Sequence, residues 1–243
     1  MNYNWNWGIF FQLNPMGTGT YLDMLLSGLA LTIKTALLAW VIALVFGSVV
    51  GVLRTLPSRT ASWIGFAWVE FFRNMPLLVQ LFLWFFVLPE LLPREAGLWL
   101  KQLPNAPFWT AAIGVGLFMS ARVAVQLGAG IGSLPRGQKQ AATALGLTTI
   151  QSYRYILLPM AYRIILPPLT SEFLNTIKNT AVAITIGLLE LTGQARAMQE
   201  FSFQVFEAFT AATVMYLIIN IVVVTAMRFL ERWVAIPGYI SGK

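Results

Sequence analysis

Residues 140–159 read QAATALGLTTIQSYRYILLP, a polar island between long apolar runs. Pro135, just ahead of it, suits the first turn of a short helix, and Gly146 suits that helix's end. Thr148 followed three residues later by Gln151 has the pattern of a capping box that starts a second short helix, which Pro159 is expected to end. Two short helices meeting at a glycine form a compact elbow, too polar for lipid. Such an elbow offers Gln151 and Arg154 for polar contacts, and Ala141, Ala142 and Gly146 where backbones approach closely. It either docks a partner or is a capped surface hairpin without one.

The rest of the chain explains the setting. Hydrophobic residues make up 58% and charged residues 10% of 243, with a mean hydropathy of +0.71. A single soluble core cannot hide that much apolar surface, so an all-α polytopic membrane protein is expected. Zero Cys and zero His remove disulfides, cysteine nucleophiles, Ser-His-Asp triads and the usual zinc ligands. No catalytic residue, metal or cofactor is therefore expected. The N-terminal stretch MNYNWNWGIFFQLNPMG lacks a basic leader and a small-residue cleavage site, so it reads as retained. Its Asn, Trp and Gly content suits a membrane interface on the outer side.

Along the chain, 21–34 is an amphipathic lead-in. Uncharged or nearly uncharged runs at 35–53, 63–88, 108–128, 168–191 and 208–228 are each long enough to cross about 30 Å of hydrocarbon. Five transmembrane helices are thus expected. Gly47 and Gly51 form a GxxxG pair of the kind that lets helices pack closely. Pro76 should kink the second crossing, on which Glu70 and Arg73 are spaced to pair or to serve transport. Residues 89–107 read as a loop with a short interfacial piece near Leu98–Leu100, and 192–207 as a polar connection. Basic residues divide nine to three between the sides: Arg54, Arg59, Arg136, Lys139, Arg154, Arg163, Arg228, Arg232 and Lys243 against Arg94, Lys101 and Arg196. The positive-inside rule then places the elbow and the C-terminus in the cytoplasm, with the N-terminus periplasmic. The same sorting accounts for the net charge of +7 without nucleic acid as a partner.

The island's spacing, Gln140-Ala141-Ala142, then Gly146, then Ile156 to Pro159, resembles the EAA coupling loop of ABC importer permeases, with Gln140 in place of the family's usual Glu. EFFRNMPLLVQLFLWFFVLPE (70–90) resembles the FRNxPLLVQLF segment of polar amino acid permeases. LRTLPSR (53–59), LFLWFFVLPELLP (81–93) and LPPLTSEFLNTIKNTAVAITIGLLELTGQARAMQEF (166–201) are similar to stretches of glutamate/aspartate-type permeases. The likeness covers about residues 21–240. It implies a type I ABC importer permease with five crossings. A periplasmic N-terminal segment (1–20), a type 1 transmembrane domain (21–231) and a cytoplasmic tail (232–243) would make up the chain. The implied partners are an ATP-binding cassette ATPase dimer, a periplasmic amino-acid-binding protein, the lipid bilayer and a second permease, either a paralogue or another copy. ATP hydrolysis would belong to the ATPase. The coupling contacts would come from Gln140, Ala141, Ala142, Gly146, Gln151, Arg154, Ile156 and Pro159. Where relatives read AxxAExxRGGI, this chain reads ARVAVQLGAGI, so Val125 and Gly128 stand where a Glu and an Arg would be.

Substrate contacts must come from intramembrane polar groups. Counting from a helix start at Pro168, Lys178 lies about 15 Å deep, near the midplane, where a cation attracts an anionic substrate or finds an ion-pair partner on another helix. Glu172, six residues back, lies on another face. Arg122 falls about 21 Å along the third crossing and serves either structure, a gate or substrate. Asn175 and Asn179 are spaced to bind an amino acid or to join helices. Two nucleotide-like patterns fail: GSLPRGQK (132–139) has Gln138 where a P-loop needs lysine, and GAGIGS (128–133) lacks the last glycine and the preceding strand. A non-transporting membrane scaffold or channel with a regulatory loop is the contrasting class.

Overall fold

Where no water is available, an uncharged run satisfies its backbone only from within, and the chain is accordingly built of helices. A computed structural model of the chain describes residues 3–15, 17 and 19–234. A short 3-10 helix, Trp7–Phe11, precedes α1 (Tyr21–Thr55) and α2 (Arg59–Asn74). Then come α3 (Leu77–Phe82), α4 (Leu88–Leu91), α5 (Arg94–Lys101) and α6 (Ala106–Gly132). α7 (Arg136–Ala144) and α8 (Thr149–Ser152) lead into α9 (Leu158–Asn179), which is followed by a 3-10 run, Thr180–Ile186, then α10 (Leu191–Ser202) and α11 (Val205–Val234). Helices α1, α6 and α11 are each long and apolar enough to cross a membrane. α2 with Leu77–Leu91 passes the same test as one broken span, bent by 100°. By length and composition the described residues thus hold three spans, or four with the bent pair.

Two π turns, Leu83–Val87 and Tyr153–Leu157, share one cause. Each is followed by Leu-Pro, and the Leu88 and Leu158 N–H groups reach back five residues to the Leu83 and Tyr153 carbonyls. The wider turn carries Pro89 and Pro159 past the point where a missing N–H and a clash with the i−4 carbonyl would break the helix.

The chain divides into two compact units. One comprises residues 1–40, 76–116 and 175–222. Its core gathers Ile9, Met24, Leu25, Leu191, Met198 and Ala208, so the N-terminal 3-10 helix is packed against α1, α10 and α11. The other comprises residues 41–75, 117–174 and 223–243. In it the GxxxG pair proves to be a close helix crossing. A Cβ on Gly47 would lie 2.6 Å from Val123 Cβ and 2.7 Å from the Ser120 carbonyl oxygen, so the backbones of α1 and α6 meet there. Trp68 Nε1 donates to Ser120 Oγ at 3.0 Å, bringing α2 onto the same stretch of α6.

Several expectations need correction. The crossing expected at 168–191 is not one helix: α9 starts at Leu158 and carries Pro167 and Pro168 inside it. It gives way after Asn179 to the 3-10 run and a left-handed Gly187, φ 87°. Proline was read as a helix start, but here the preceding π turn had already begun the helix. Pro159 accordingly does not end the second short helix and lies in the first turn of α9. The kink at Pro76 is a full break, with Met75 and Pro76 both extended. The polar connection expected at 192–207 is mostly the helix α10. Glu70 accepts from Asn74 Nδ2 at 2.7 Å and forms no ion pair with Arg73. A short helix, α5, stands where the interfacial piece near Leu98–Leu100 was expected. The tail placed at 232–243 lies outside the described residues from 235 onward, as do residues 1, 2, 16 and 18.

Candidate functional site

The elbow is held by backbone chemistry at both sides of its corner. At the end of α7 the Gly146 N–H donates to the Thr143 carbonyl at 3.0 Å and the Leu147 N–H to the Ala142 carbonyl at 3.1 Å. With Gly146 at φ 73°, this is the Schellman closure that a glycine supplies without Cβ strain. One residue later the second helix begins. Thr148 Oγ1 accepts from the Gln151 N–H at 3.3 Å, and the Thr148 N–H donates to Gln151 Oε1 at 2.8 Å. Together they form a complete capping box. The elbow's inner side rests on buried Leu134, Tyr153 and Leu157, with Ile156 partly buried against them. Tyr153 Oη donates to the Thr55 carbonyl at 2.8 Å and lies 3.1 Å from Thr55 Oγ1, which fastens the elbow to the end of α1.

Its outer side is open. Gln140, Ala141, Gly146, Gln151, Arg154 and Pro159 are exposed, and the Arg154 guanidinium lies 5.7 Å from the centre of the Tyr155 ring. Two of the expected contacts point elsewhere: Ala142 is fully buried and Ile156 half-buried, because packing of α7 onto α8 and the following π turn claims those faces. In their place stand Leu145 and Ile150, 77% and 79% exposed, and exposed Tyr155. Sequence reasoning passed over these three, although bulky apolar residues in a polar island too short to span a membrane are themselves a docking signal.

Of the polar residues assigned to the substrate path, Arg122 and Glu172 come together in one unit, with Nη1 3.8 Å from Oε2. Glu172 is buried, while Arg122 is half exposed and its guanidinium lies 5.7 Å from the Phe118 ring centre. Asn175 and Asn179, both half-buried, and Lys178, exposed, belong to the other unit. With α9 beginning at Leu158, Lys178 is the last residue but one of that helix, about 30 Å along it, so Pro168 is not the helix start from which its depth was counted. A cation in a helix's last turn also complements the helix dipole.

Sequence reasoning missed two fully buried carboxylates, Glu190 and Glu207. Glu190 caps α10 by accepting from the Gly193 N–H at 2.9 Å, and it also receives Tyr216 Oη at 2.6 Å and Thr32 Oγ1 at 3.3 Å. Glutamate is not among the residues preferred at a helix N-cap, so the local sequence carried no capping signal there. Glu207 accepts from the Asn6 N–H at 2.7 Å and from Tyr3 Oη. No group of three metal-ligating side chains occurs among the described residues.

Apolar spans, a broken span and an exposed, doubly capped elbow define a polytopic helical membrane protein with a surface left for a partner. The chain belongs to the family described as binding-protein-dependent transport system inner membrane component, whose model matches residues 43–236. It is 49% identical, over all of both chains, to the glutamate/aspartate import permease protein GltJ of Escherichia coli (strain K12). It is 32% identical to the probable glutamine ABC transporter permease protein GlnM of Bacillus subtilis (strain 168), covering 86% of this chain and 93% of that one. Among solved structures it resembles that of an amino acid ABC transporter with histidines, with a TM-score of 0.74 and 29% identity over 87% of this chain and 94% of that one. The MetNI methionine ABC transporter in an inward-facing form gives a TM-score of 0.72 at 19% identity over 88% of this chain and 98% of that one, a likeness of fold.

Proposed function

We propose that this chain is a permease subunit of an ATP-driven importer of acidic amino acids, glutamate and aspartate. The observation that carries the substrate is the end-to-end 49% identity with GltJ. The docking role rests on the elbow, whose capped frame presents Leu145, Ile150 and Tyr155 outward. An ATPase subunit grips the elbow on the cytoplasmic side. Gln140, Ala141, Gly146, Gln151, Arg154 and Pro159 line the contact, and Ala142 and Ile156 support it from beneath. Closure of the ATPase pair on ATP pulls the elbow and turns the helices, so that the path opens to the periplasm. Hydrolysis in the partner returns it. The chain itself makes and breaks no covalent bond.

The remaining assignments follow the same reading. The transmembrane domain spans 21–231, flanked by the periplasmic segment 1–20 and the cytoplasmic tail. A periplasmic binding protein delivers substrate, and a paralogous permease completes a heterodimer. Lys178 attracts the substrate carboxylates, Asn175 and Asn179 offer amide hydrogen bonds, and the Arg122–Glu172 pair acts as a gate element in the path.

The test is uptake into proteoliposomes loaded with ATP and supplied with the cognate binding protein. Radiolabelled glutamate should enter and be competed by aspartate, while arginine and glutamine should not compete. Lys178→Gln should reduce glutamate uptake, and Ile150→Asp should release the ATPase on copurification. Uptake of glutamine in preference to glutamate would overturn the substrate and favour the second reading, a neutral polar amino acid, to which the 32% identity with GlnM points. Retention of the ATPase by Ile150→Asp with Leu145→Asp would overturn the docking role.

A further inference from the structure

In the unit that holds the N-terminal segment, two stretches distant in sequence build one aromatic shelf. Trp5 and Trp7 stack with ring centres 5.5 Å apart and planes within 6°. Phe206, from the first turn of α11, meets Tyr3 at 4.7 Å and Trp5 at 5.6 Å. The shelf is clamped from below: buried Glu207 receives the Asn6 N–H and Tyr3 Oη, while Ile9 is packed into the core. From above it is open. Trp5 is 55%, Trp7 51%, Phe11 75% and Phe203 82% exposed.

Phe203 sharpens the question. It closes α10 in the left-handed region at φ 58°, its N–H bonded to the Gln199 carbonyl at 2.9 Å. That conformation is strained for a bulky residue. Its side chain is left exposed, so burial among the described residues does not offset that strain.

We propose that residues 3–13 together with the Phe203 corner form an interfacial anchor that lies in the headgroup layer of the bilayer, fixing the depth of the first turns of α1 and α11. Two observations select lipid over a protein partner. First, no charged residue occurs from residue 3 to residue 22, and Asp23, the first, is occupied by Thr20 through its N–H and hydroxyl, both at 2.8 Å. Aromatic and amide groups without charge suit the headgroup boundary, where rings have one apolar and one wet side. Second, the shelf continues an exposed face of α11. Phe206, Phe209, Thr213, Leu217 and Ile221 recur at three- and four-residue spacing and are all exposed. In a membrane span, that face is covered by acyl chains.

The chain has no cysteine, so single Phe11→Cys and Phe203→Cys variants can carry a nitroxide label each, with Glu95→Cys, at an exposed charged position of α5, as a water-facing reference. The full transporter is reconstituted in vesicles of phosphatidylcholine, and of phosphatidylcholine with phosphatidylglycerol. Collisional broadening is read with lipid-soluble oxygen and a water-soluble nickel chelate. Oxygen should exceed the chelate at 11 and 203, with the reverse at 95. The result should be the same in both lipids, since the shelf carries no cation. Chelate access at 11 and 203 equal to that at 95 overturns the anchor, as does a requirement for phosphatidylglycerol. A label at 203 that is water-accessible until the binding protein is added, and immobilised then, overturns it in favour of protein docking. Substrate uptake, measured on the same vesicles, reports the transport reading separately.

Discussion

Arg122 Nη1 stands 3.8 Å from Glu172 Oε2, an ion pair joining α6 to α9 in which the carboxylate is buried and the guanidinium half open to its surroundings. The open guanidinium limits the pair's worth through screening. In a double-mutant cycle with Arg122→Gln and Glu172→Gln, thermal unfolding in nanodiscs should give a coupling of about 1 kcal/mol. Uptake should fall in either single variant and partly return in the double. Strict additivity would mean that the two side chains act independently.

Gly146 meets nothing within 4 Å of where a Cβ would be, so its requirement is conformational alone. Gly146→Ala should cost about 1 kcal/mol, and Gly146→Asn, which tolerates the left-handed region, clearly less. Hydrogen exchange across 136–152 reads this directly. Any loss of ATPase stimulation beyond that ranking measures the partner's tolerance of a side chain at the corner.

Gly47 and Gly51 differ in a way that orders their variants. A Cβ on Gly47 would fall 2.6 Å from Val123 Cβ, and one on Gly51 3.0 Å from Leu127 Cβ. Gly47→Ala should therefore destabilise more than Gly51→Ala, by about 1–3 kcal/mol for the first. Val123→Ala should restore only part of it, because the Ser120 carbonyl, 2.7 Å away, stays in place. Equal melting temperatures for the two glycine variants would contradict the packing.

Glu190 satisfies one backbone N–H and two hydroxyls while fully buried. Glu190→Ala removes the cap and the shared acceptor, leaving Tyr216 Oη with Thr192 Oγ1 at 3.1 Å and Thr32 Oγ1 with the Leu191 N–H at 3.1 Å, with an expected cost of about 2–4 kcal/mol from the lost cap and weakened hydroxyl bonding together. Glu190→Gln retains an acceptor and should cost less than half of that. Denaturation of the purified chain in mild detergent measures the ranking. Should Glu190→Ala match the Gln variant, the carboxylate adds nothing to what Thr192 and the Leu191 N–H already supply to the two hydroxyls.

The elbow was legible because its parts are local. A capping box needs only Thr148 and Gln151, and a left-handed helix end needs only Gly146, so three residues specify geometry within a turn or two of themselves. The same local habit misled at Pro159 and Pro168, where proline is normally a boundary. A π turn ending just before Pro159, and a medium in which α9 has no better backbone partner than itself, carried the helix through both. That single misplacement moved Lys178 from mid-helix to the last turn of α9. Leu145 and Ile150 were overlooked while Ala142 and Ile156 were chosen, since which face of a short helix is covered depends on what packs under it.

From the order of residues alone came the membrane class, the elbow with its glycine corner and capping box, the close-packing glycines and the family resemblance, all of them products of composition or of contacts a few residues apart. Only the tertiary structure decided that Arg122 meets Glu172, that Gly47 lies on Val123, and that Glu190 and Glu207 are buried at the centre of their hydrogen bonds. Each of those choices pairs segments from 26 to more than 200 residues apart, and burial among distant helices, not local backbone preference, selects the partner.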